Sequence, residues 1–198
     1  MKVISYVVAF DSGLAPNPFF GACTLTVCKP VIRRTAHVGD WVLGFGSTKV
    51  VGQDRLIYAM RVDEVLPLEI YGVDRRFRRK RPARSTEIRQ VGDCVYWRGS
   101  DGEWRQRPGL HGPADMARDL SGYKSLISRR YWYFGAEAPV LPNRFGHLVK
   151  RGRGHRIVRD MRLVAAFVRW LEGLGKPGRR GMPWMLQAGC GGRRTGGC

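Results

Sequence analysis

At 198 residues the chain fits one domain with a short tail and is long enough to bury a full core; 43% hydrophobic residues argue against wholesale disorder. Lys and Arg number 35 against 16 Asp and Glu, a formal net charge of +19, which favours polyanions, nucleic acid first, over the alternative that abundant Arg and Gly reflect a GC-rich genome. No run approaches a membrane span and MKVISYVVAF is too short an apolar stretch for a signal peptide, so the expectation is a cytoplasmic protein with no membrane partner.

Lys2 to Phe10 reads as a buried strand ending in the turn cluster Asp11-Ser12-Gly13. The prolines of Ala15-Pro16-Asn17-Pro18 keep the next segment extended. A strand is expected over Ala22 to Cys28, then one or two helical turns between Val31 and His37, with Pro30 in the first turn. Gly39-Asp40 is a turn and Trp41 to Phe45 a strand ending in glycines, which mark either a ligand-facing backbone or a tight barrel corner. Arg55 to Val65 has the partial alternation of one long strand, and Pro67 to Phe77 that of a helix. The basic run Arg75 to Pro82 is either a solvated loop or a phosphate-contacting arm.

Gly92-Asp93 opens a second turn–strand unit through Trp97, a weak echo of the first, and Trp104 begins or caps a further strand. Leu120 to Ser128 reads as irregular, Arg129 to Gly135 as an aromatic strand, Asn143 to Lys150 as a short helix and Arg151 to His155 as a flexible basic turn. One helix is clear: Asp160 caps it, and Leu163, Ala166, Phe167, Trp170, Leu171 and Leu174 form one apolar stripe. The domain is placed at residues 1–175. The Gly- and Arg-rich stretch from Lys176 to Cys198 is expected to be a disordered tail.

The cysteines are Cys23, Cys28, Cys94, Cys190 and Cys198, an odd number, which argues against a disulfide framework. Zinc-ribbon spacing is missing, so no metal is expected, and Cys23 and Cys28 read as buried thiols on a strand. There is no P-loop, Rossmann fingerprint, nucleophile elbow or zinc helix, and no cofactor is expected. His37, His111, His147 and His155 are scattered; His111 and Asp119 are the best acid/base candidates, and any of these histidines can meet a cysteine only in space. The sequence therefore leans toward binding, and its catalytic residues stay unassigned.

A binding site can be composed from the segment after the first strand and the tryptophan strand. Trp41 and Phe20, with Tyr96 and Trp97, would stack a planar base, at roughly 1–3 kcal/mol per base. Asn17, Thr24, Ser47 and the backbone at Gly44 and Gly46 would read its edge, with Cys23 in the pocket wall. Lys29, Arg33 and Arg34 would hold the neighbouring phosphates. Residue by residue, core filling remains the alternative for each aromatic.

The motifs APNPFFG, CTL, CKPVIRR and GDWVLGFGS, with RLIYAMRVDEVLP and ISRRYWYFG after them, closely resemble the bacterial and phage family called nucleotide modification associated domain, second type, over roughly residues 1–156. The resemblance implies an association with DNA base modification systems. Ser5 to Ser12, Lys29 to His37, Gly39-Asp40, Trp41 to Ser47 and Leu56 to Val65 also resemble the EVE and wider PUA-like domains, which hold a flipped base beside a barrel; the inserted APNPFFGACTLTVC departs from them. The expected fold is thus α+β, a PUA-like (EVE-like) mixed or antiparallel β-barrel with peripheral helices. The expected function is a nucleic-acid binder, DNA ahead of RNA or a free nucleotide, reading a modified or flipped base. The alternatives are an enzyme, a transferase or hydrolase acting on a nucleotide or base, and a structural adaptor in a modification complex.

Overall fold

The structure, a computed structural model, describes residues 1–48 and 51–187. In chain order the strands and helices are β1 (Val3–Val7), β2 (Cys23–Leu25), α1 (Pro30–Thr35), β3 (Trp41–Phe45), β4 (Leu56–Arg61), β5 (Glu64–Pro67), α2 (Leu68–Val73), α3 (Glu87–Gln90), β6 (Tyr96–Arg98) and β7 (Trp104–Gln106). They continue as α4 (Met116–Leu120), β8 (Lys124–Ser128), β9 (Tyr131–Tyr133), β10 (His155–Val158), α5 (Met161–Gly173), β11 (Gly178–Arg179) and α6 (Trp184–Gln187). Turns of 3-10 helix cover Arg75–Lys80 and Asn143–Leu148, among others.

The chain is mixed α+β. A six-stranded sheet runs in the order β10-β1-β3-β4-β9-β11, a three-stranded antiparallel sheet in the order β2-β8-β5, and β6 with β7 makes a hairpin. The large sheet has two edges, β10 and β11, and does not close, so the expected PUA-like barrel is replaced by an open sheet with a second small sheet beside it. Its centre explains the sequence of β1 and β3. They pair in parallel, Val3 opposite Trp41 through Val7 opposite Phe45, and every residue of β3 is buried. Strands covered on both faces need continuous apolar runs rather than alternation.

Gly44 is a packing glycine. A β-carbon there would sit 2.4 Å from the Tyr58 ring and 2.7 Å from Val8. Gly46 would meet the Gly52 carbonyl oxygen at 2.4 Å. Close approach of protein to protein, not of backbone to ligand, accounts for both in this fold.

The long strand expected over Arg55 to Val65 is two strands in different sheets. Between them Asp63 turns the chain: its Oδ2 accepts from the backbone N–H groups of Arg129 and Arg130, at 2.6 and 3.1 Å, while its own N–H donates to Ile127. Lys124–Ser128, read as irregular, is the central strand of the small sheet, and His155–Val158, read partly as a turn, is an edge strand on β1. Both are too short to show a period.

The clear helix forms as expected as α5, with Asp160 Oδ1 accepting from the N–H groups of Arg162 and Leu163 at 2.9 and 3.0 Å. Its fully buried line is Val164, Phe167 and Leu171; Phe167 and Leu171 belong to the expected stripe, Val164 joins them, and the stripe's Leu163, Ala166, Trp170 and Leu174 pack at the flank. Phe167 meets Phe145 edge-on at 5.8 Å. Each such fully buried side chain is worth about 1.5–3 kcal/mol. The domain also runs past residue 175. β11 pairs with β9, and the Trp184 ring packs against the main core, so the expected tail is folded as far as Gln187; the rest of that stretch lies outside the described residues.

The loop after β1 places Asp11 in the core, where it is 1% exposed. Its Oδ1 accepts from the Tyr133 hydroxyl at 2.5 Å, and Oδ2 has no hydrogen-bond partner among the described residues. Burial pushes this carboxyl up to about 7, against the lowering effect of the Tyr133 and Gly13 hydrogen bonds. A carboxyl raised by folding binds its proton more tightly in the native state. Its contribution to stability is therefore full at acid pH and is lost as pH rises from about 4 to about 7. At about 1.4 kcal/mol per unit the loss is roughly 4 kcal/mol at most. Asp11→Asn, the isostere of the protonated form, is expected to flatten chemical-denaturation stability between those pH values. An unchanged slope would show that Asp11 does not titrate there.

Candidate active site

Cys28 meets two residues far from it in sequence, His111 and Asp119, beside the carboxyl end of β1. Cys28 Sγ lies 3.5 Å from His111 Nε2, and His111 Nδ1 lies 2.6 Å from Asp119 Oδ2. All three are buried, at 1%, 6% and 0% exposure.

The local chain explains each placement. Cys28 and Lys29 follow the end of β2 with φ of 54° and 42°, two consecutive non-glycine residues in the left-handed region. Such backbone costs about 1–3 kcal/mol per residue and persists only where the surroundings hold it. Here the Cys28 N–H donates to Asp119 Oδ1 at 2.7 Å, and Arg33 Nε donates to the Cys28 carbonyl at 2.8 Å. Pro30 then starts α1, where its missing N–H is harmless. His111 comes from the loop after β7, where its carbonyl accepts from Gln106 Nε2 at 2.7 Å. Asp119 sits on α4.

Arg33, fully buried, clamps the assembly. Besides Cys28 it donates through its terminal nitrogens to the carbonyls of Lys124, at 2.9 Å, and of Asp119. Gly122 leaves room for it, since a β-carbon there would fall 2.2 Å from the guanidinium. Burial lowers this guanidinium to about 10, with Asp119 opposing, so it is a cation at neutral pH.

The hydrogen bonds assign the protons. Burial alone would raise the Asp119 carboxyl, but hydrogen bonds and charge from His111, the Cys28 N–H and the Tyr96 hydroxyl outweigh it and hold the group below its ordinary value. An ionised carboxylate only accepts, so His111 carries a proton on Nδ1, and in the neutral ring the Nε2 lone pair faces Cys28. A nucleophile, a base beside it and a carboxylate orienting the base are the parts of a covalent catalyst. One atom from each of the three residues also lies within 4.8 Å of the others, a spacing at which a metal ion can be held. The two ring nitrogens, however, face opposite partners, and one ion can take only one of them. The linear order thiol–imidazole–carboxylate fits proton relay better than shared ligation.

Cys28 opens on a small hollow of about 20 Å³ lined by Tyr6, Val8, Ala9, Phe10, Ala15 and Lys29, room for one water-sized group. Phe10, 53% exposed, stands at its rim. Lys29 Nζ lies 5.0 Å over the Tyr6 ring. Burial first, then the charge of Arg118, lowers its pKa. Cys28 is engaged in a disulfide, so a thiol stands beside His111 only in the reduced chain. That bond departs from the expected buried thiol on a strand, which describes Cys23: free, 0% exposed, and pushed up by burial.

The residues expected to form a base pocket are placed as follows. Trp41 is sealed, stacked on Trp132 at 6.3 Å. Asn17 and Thr24 are fully buried and spend their polar groups on Gly13, Val91, Lys80 and Asp93. Cys23, Gly44 and Gly46 are core positions. Phe20 is half-buried under the Arg79 guanidinium, 4.6 Å away, and Ser47 is half-buried with its carbonyl accepting from Gly52. Of the three expected phosphate ligands, Lys29 reaches the hollow, Arg33 is enclosed, and Arg34 donates to the Ser121 carbonyl at 2.7 Å. The structure does not bring these side chains into one open, ring-lined hollow: the polar groups of Asn17, Thr24, Arg33 and Arg34 are engaged within the fold, while Lys29 lies on the hollow. Tyr96 is drawn into the Asp119 network, and Trp97 lies under Arg107 at 4.3 Å. The basic run also divides: Lys80 is buried, Phe77 stacks on Tyr71 at 4.5 Å, Arg76 pairs with Glu64 and Asp74, and Arg75, Arg78 and Arg79 stay exposed.

Among the described residues no helix is long and apolar enough to cross a membrane. A search of curated proteins and a search of solved structures each returned no match. The family model described as nucleotide modification associated domain 2 matches residues 1–189, nearly the whole chain, and the protein belongs to that family.

Proposed function

We propose that the protein is a thiol-dependent enzyme of nucleotide modification, a hydrolase or transferase that works through a covalent Cys28 intermediate. The observation that supports this reading is the buried Cys28–His111–Asp119 geometry, with Cys28 on the wall of the hollow. The substrate is a nucleotide or base bearing an acyl or amide carbon. His111 Nε2 takes the thiol proton as Cys28 Sγ bonds to that carbon. The same proton passes to the departing amine or alcohol, leaving a thioester. Water or an acceptor amine then attacks the thioester, gives up a proton to His111, and the thiol is restored. Asp119 holds the imidazole in the required tautomer throughout. Lys29, on the wall of the hollow, is placed to pair with an anionic group next to the reacting carbon.

The test uses the reduced, full-length chain and iodoacetamide, with alkylation of each cysteine followed by mass spectrometry. Cys94 is the internal reference, because burial raises its thiol to about 11. At neutral pH Cys28 is expected to react at least about 100-fold faster than Cys94, and His111→Gln to remove about 10²–10⁴-fold of that rate. A Cys28 no faster than Cys94, or indifferent to His111→Gln, would sink the proposal.

A further inference from the structure

A second concavity lies beside the first. An open groove of about 550 Å³ is lined by Gly146, Val149, Lys150, Arg151, His155 and Arg156. Every charged side chain in the stretch 143–159 is a cation or a histidine; no carboxylate occurs there. Among the described residues none of Lys150, Arg151 or Arg156 forms an ion pair. Gly152 and Gly154, at φ of 69° and 84°, turn the chain between the two flanks of the groove. These cations are thus held close together without neutralisation, a repulsion that a ligand of opposite charge relieves.

The sheet register ties this groove to the Cys28 hollow. β10 pairs antiparallel with β1, and His155 of the groove is directly opposite Tyr6 of the hollow wall. Paired residues lie about 5 Å apart. The groove and the hollow therefore occupy neighbouring strands at the same end of the sheet.

We infer that the groove holds the sugar-phosphate backbone of a nucleic-acid strand, so that the protein acts on a polymer rather than on a free nucleotide. The lining decides the class of partner. An acidic protein partner would need buried apolar or aromatic anchors, and among the described residues Val149 is the only apolar side chain lining the groove. A phosphodiester backbone needs none; it binds through charge and through the forked donors of arginine. The backbone binding stands apart from the thiol chemistry, while presentation of a nucleotide to Cys28 rests on the function proposed above.

The test is fluorescence anisotropy with a labelled single strand of roughly 16 nucleotides and a matching duplex, between about 50 and 200 mM salt. The triple variant Lys150→Gln, Arg151→Gln, Arg156→Gln is compared with Arg75→Gln, Arg78→Gln, Arg84→Gln, which removes equal charge from exposed positions elsewhere. The groove variant is expected to lose at least about 10-fold in affinity and to make the salt slope shallower by about 2–3, at 0.7–0.9 per phosphate contact. Absence of binding by the parent at about 50 mM salt would overturn the inference. So would equal losses in the two triple variants, which would mark the attraction as net charge alone. Cys28→Ser is expected to bind like the parent, so failed alkylation and failed binding remain separate results.

Discussion

Lys80→Met is expected to cost the fold about 3–5 kcal/mol, the range for leaving a buried charge without its compensation. Lys80 is 1% exposed and sits at the end of a run that otherwise reads as surface cations. Its ammonium donates to the Asn17 carbonyl at 3.0 Å, to Asn17 Oδ1 at 2.6 Å and to the Ala22 carbonyl at 2.9 Å. Asp93, also 1% exposed, accepts from the Thr24 and Tyr71 hydroxyls at 2.6 and 2.8 Å. Burial lowers the lysine and raises the aspartate, and the charge of each opposes the shift of the other.

Methionine keeps the length of the side chain and removes all three donors. It leaves the Asn17 and Ala22 oxygens unpaired and Asp93 without its counter-charge. For a chain of this size the loss corresponds to a fall in Tm of roughly 10 °C. Asp93→Asn in the same background should recover part of it, because the uncompensated carboxylate is then gone. A loss below about 1 kcal/mol for Lys80→Met would mean that the ammonium is not buried as described. The consequence extends to the site, since the loop from Gly13 to Ala22 that Lys80 holds leads directly through β2 to Cys28.

Asp119→Asn is expected to reduce Cys28 reactivity by about 10⁴-fold, the size seen when the acid of a serine protease triad is made an amide. The amide can still accept the Cys28 N–H through its oxygen. Its NH₂ then faces His111 Nδ1, which must accept, and the ring proton moves to Nε2. The thiol meets a donor where it had a base. Alkylation of reduced Cys28 across pH, with the Tm measured alongside, separates this from unfolding. The expected profile loses its neutral-pH limb and follows that of an unassisted thiol. If Asp119→Asn retains the parent rate at pH 7 with an unchanged Tm, proton relay is excluded as the role of the cluster. Metal content of the reduced protein, measured on the same samples, tests the competing ligand set.

Some of this was legible in the residues themselves. The apolar continuity of Val3–Val7 and Trp41–Phe45 announces central strands, Asp160 announces the start of α5, and Pro30 announces a helix. Family membership was legible too, because long uninterrupted motifs carry it. His111 and Asp119 stood out as acid/base candidates, being a histidine and a carboxylate eight residues apart, but nothing local could join them to Cys28.

That junction is tertiary. It depends on a left-handed turn after a three-residue strand, on a loop and a short helix folding back across it, and on an arginine enclosed among carbonyls. The same holds for what became of the polar and aromatic residues expected to face a base. Asn17, Thr24, Trp41 and Arg33 look identical in sequence whether they greet a ligand or satisfy the core. By itself the sequence determined the secondary-structure periods, the charge and the family, because these depend on residue type and near neighbours. Only the tertiary structure decided which polar groups remain available for chemistry. A buried donor or acceptor must be paired, and its partner here lies as many as 122 residues away.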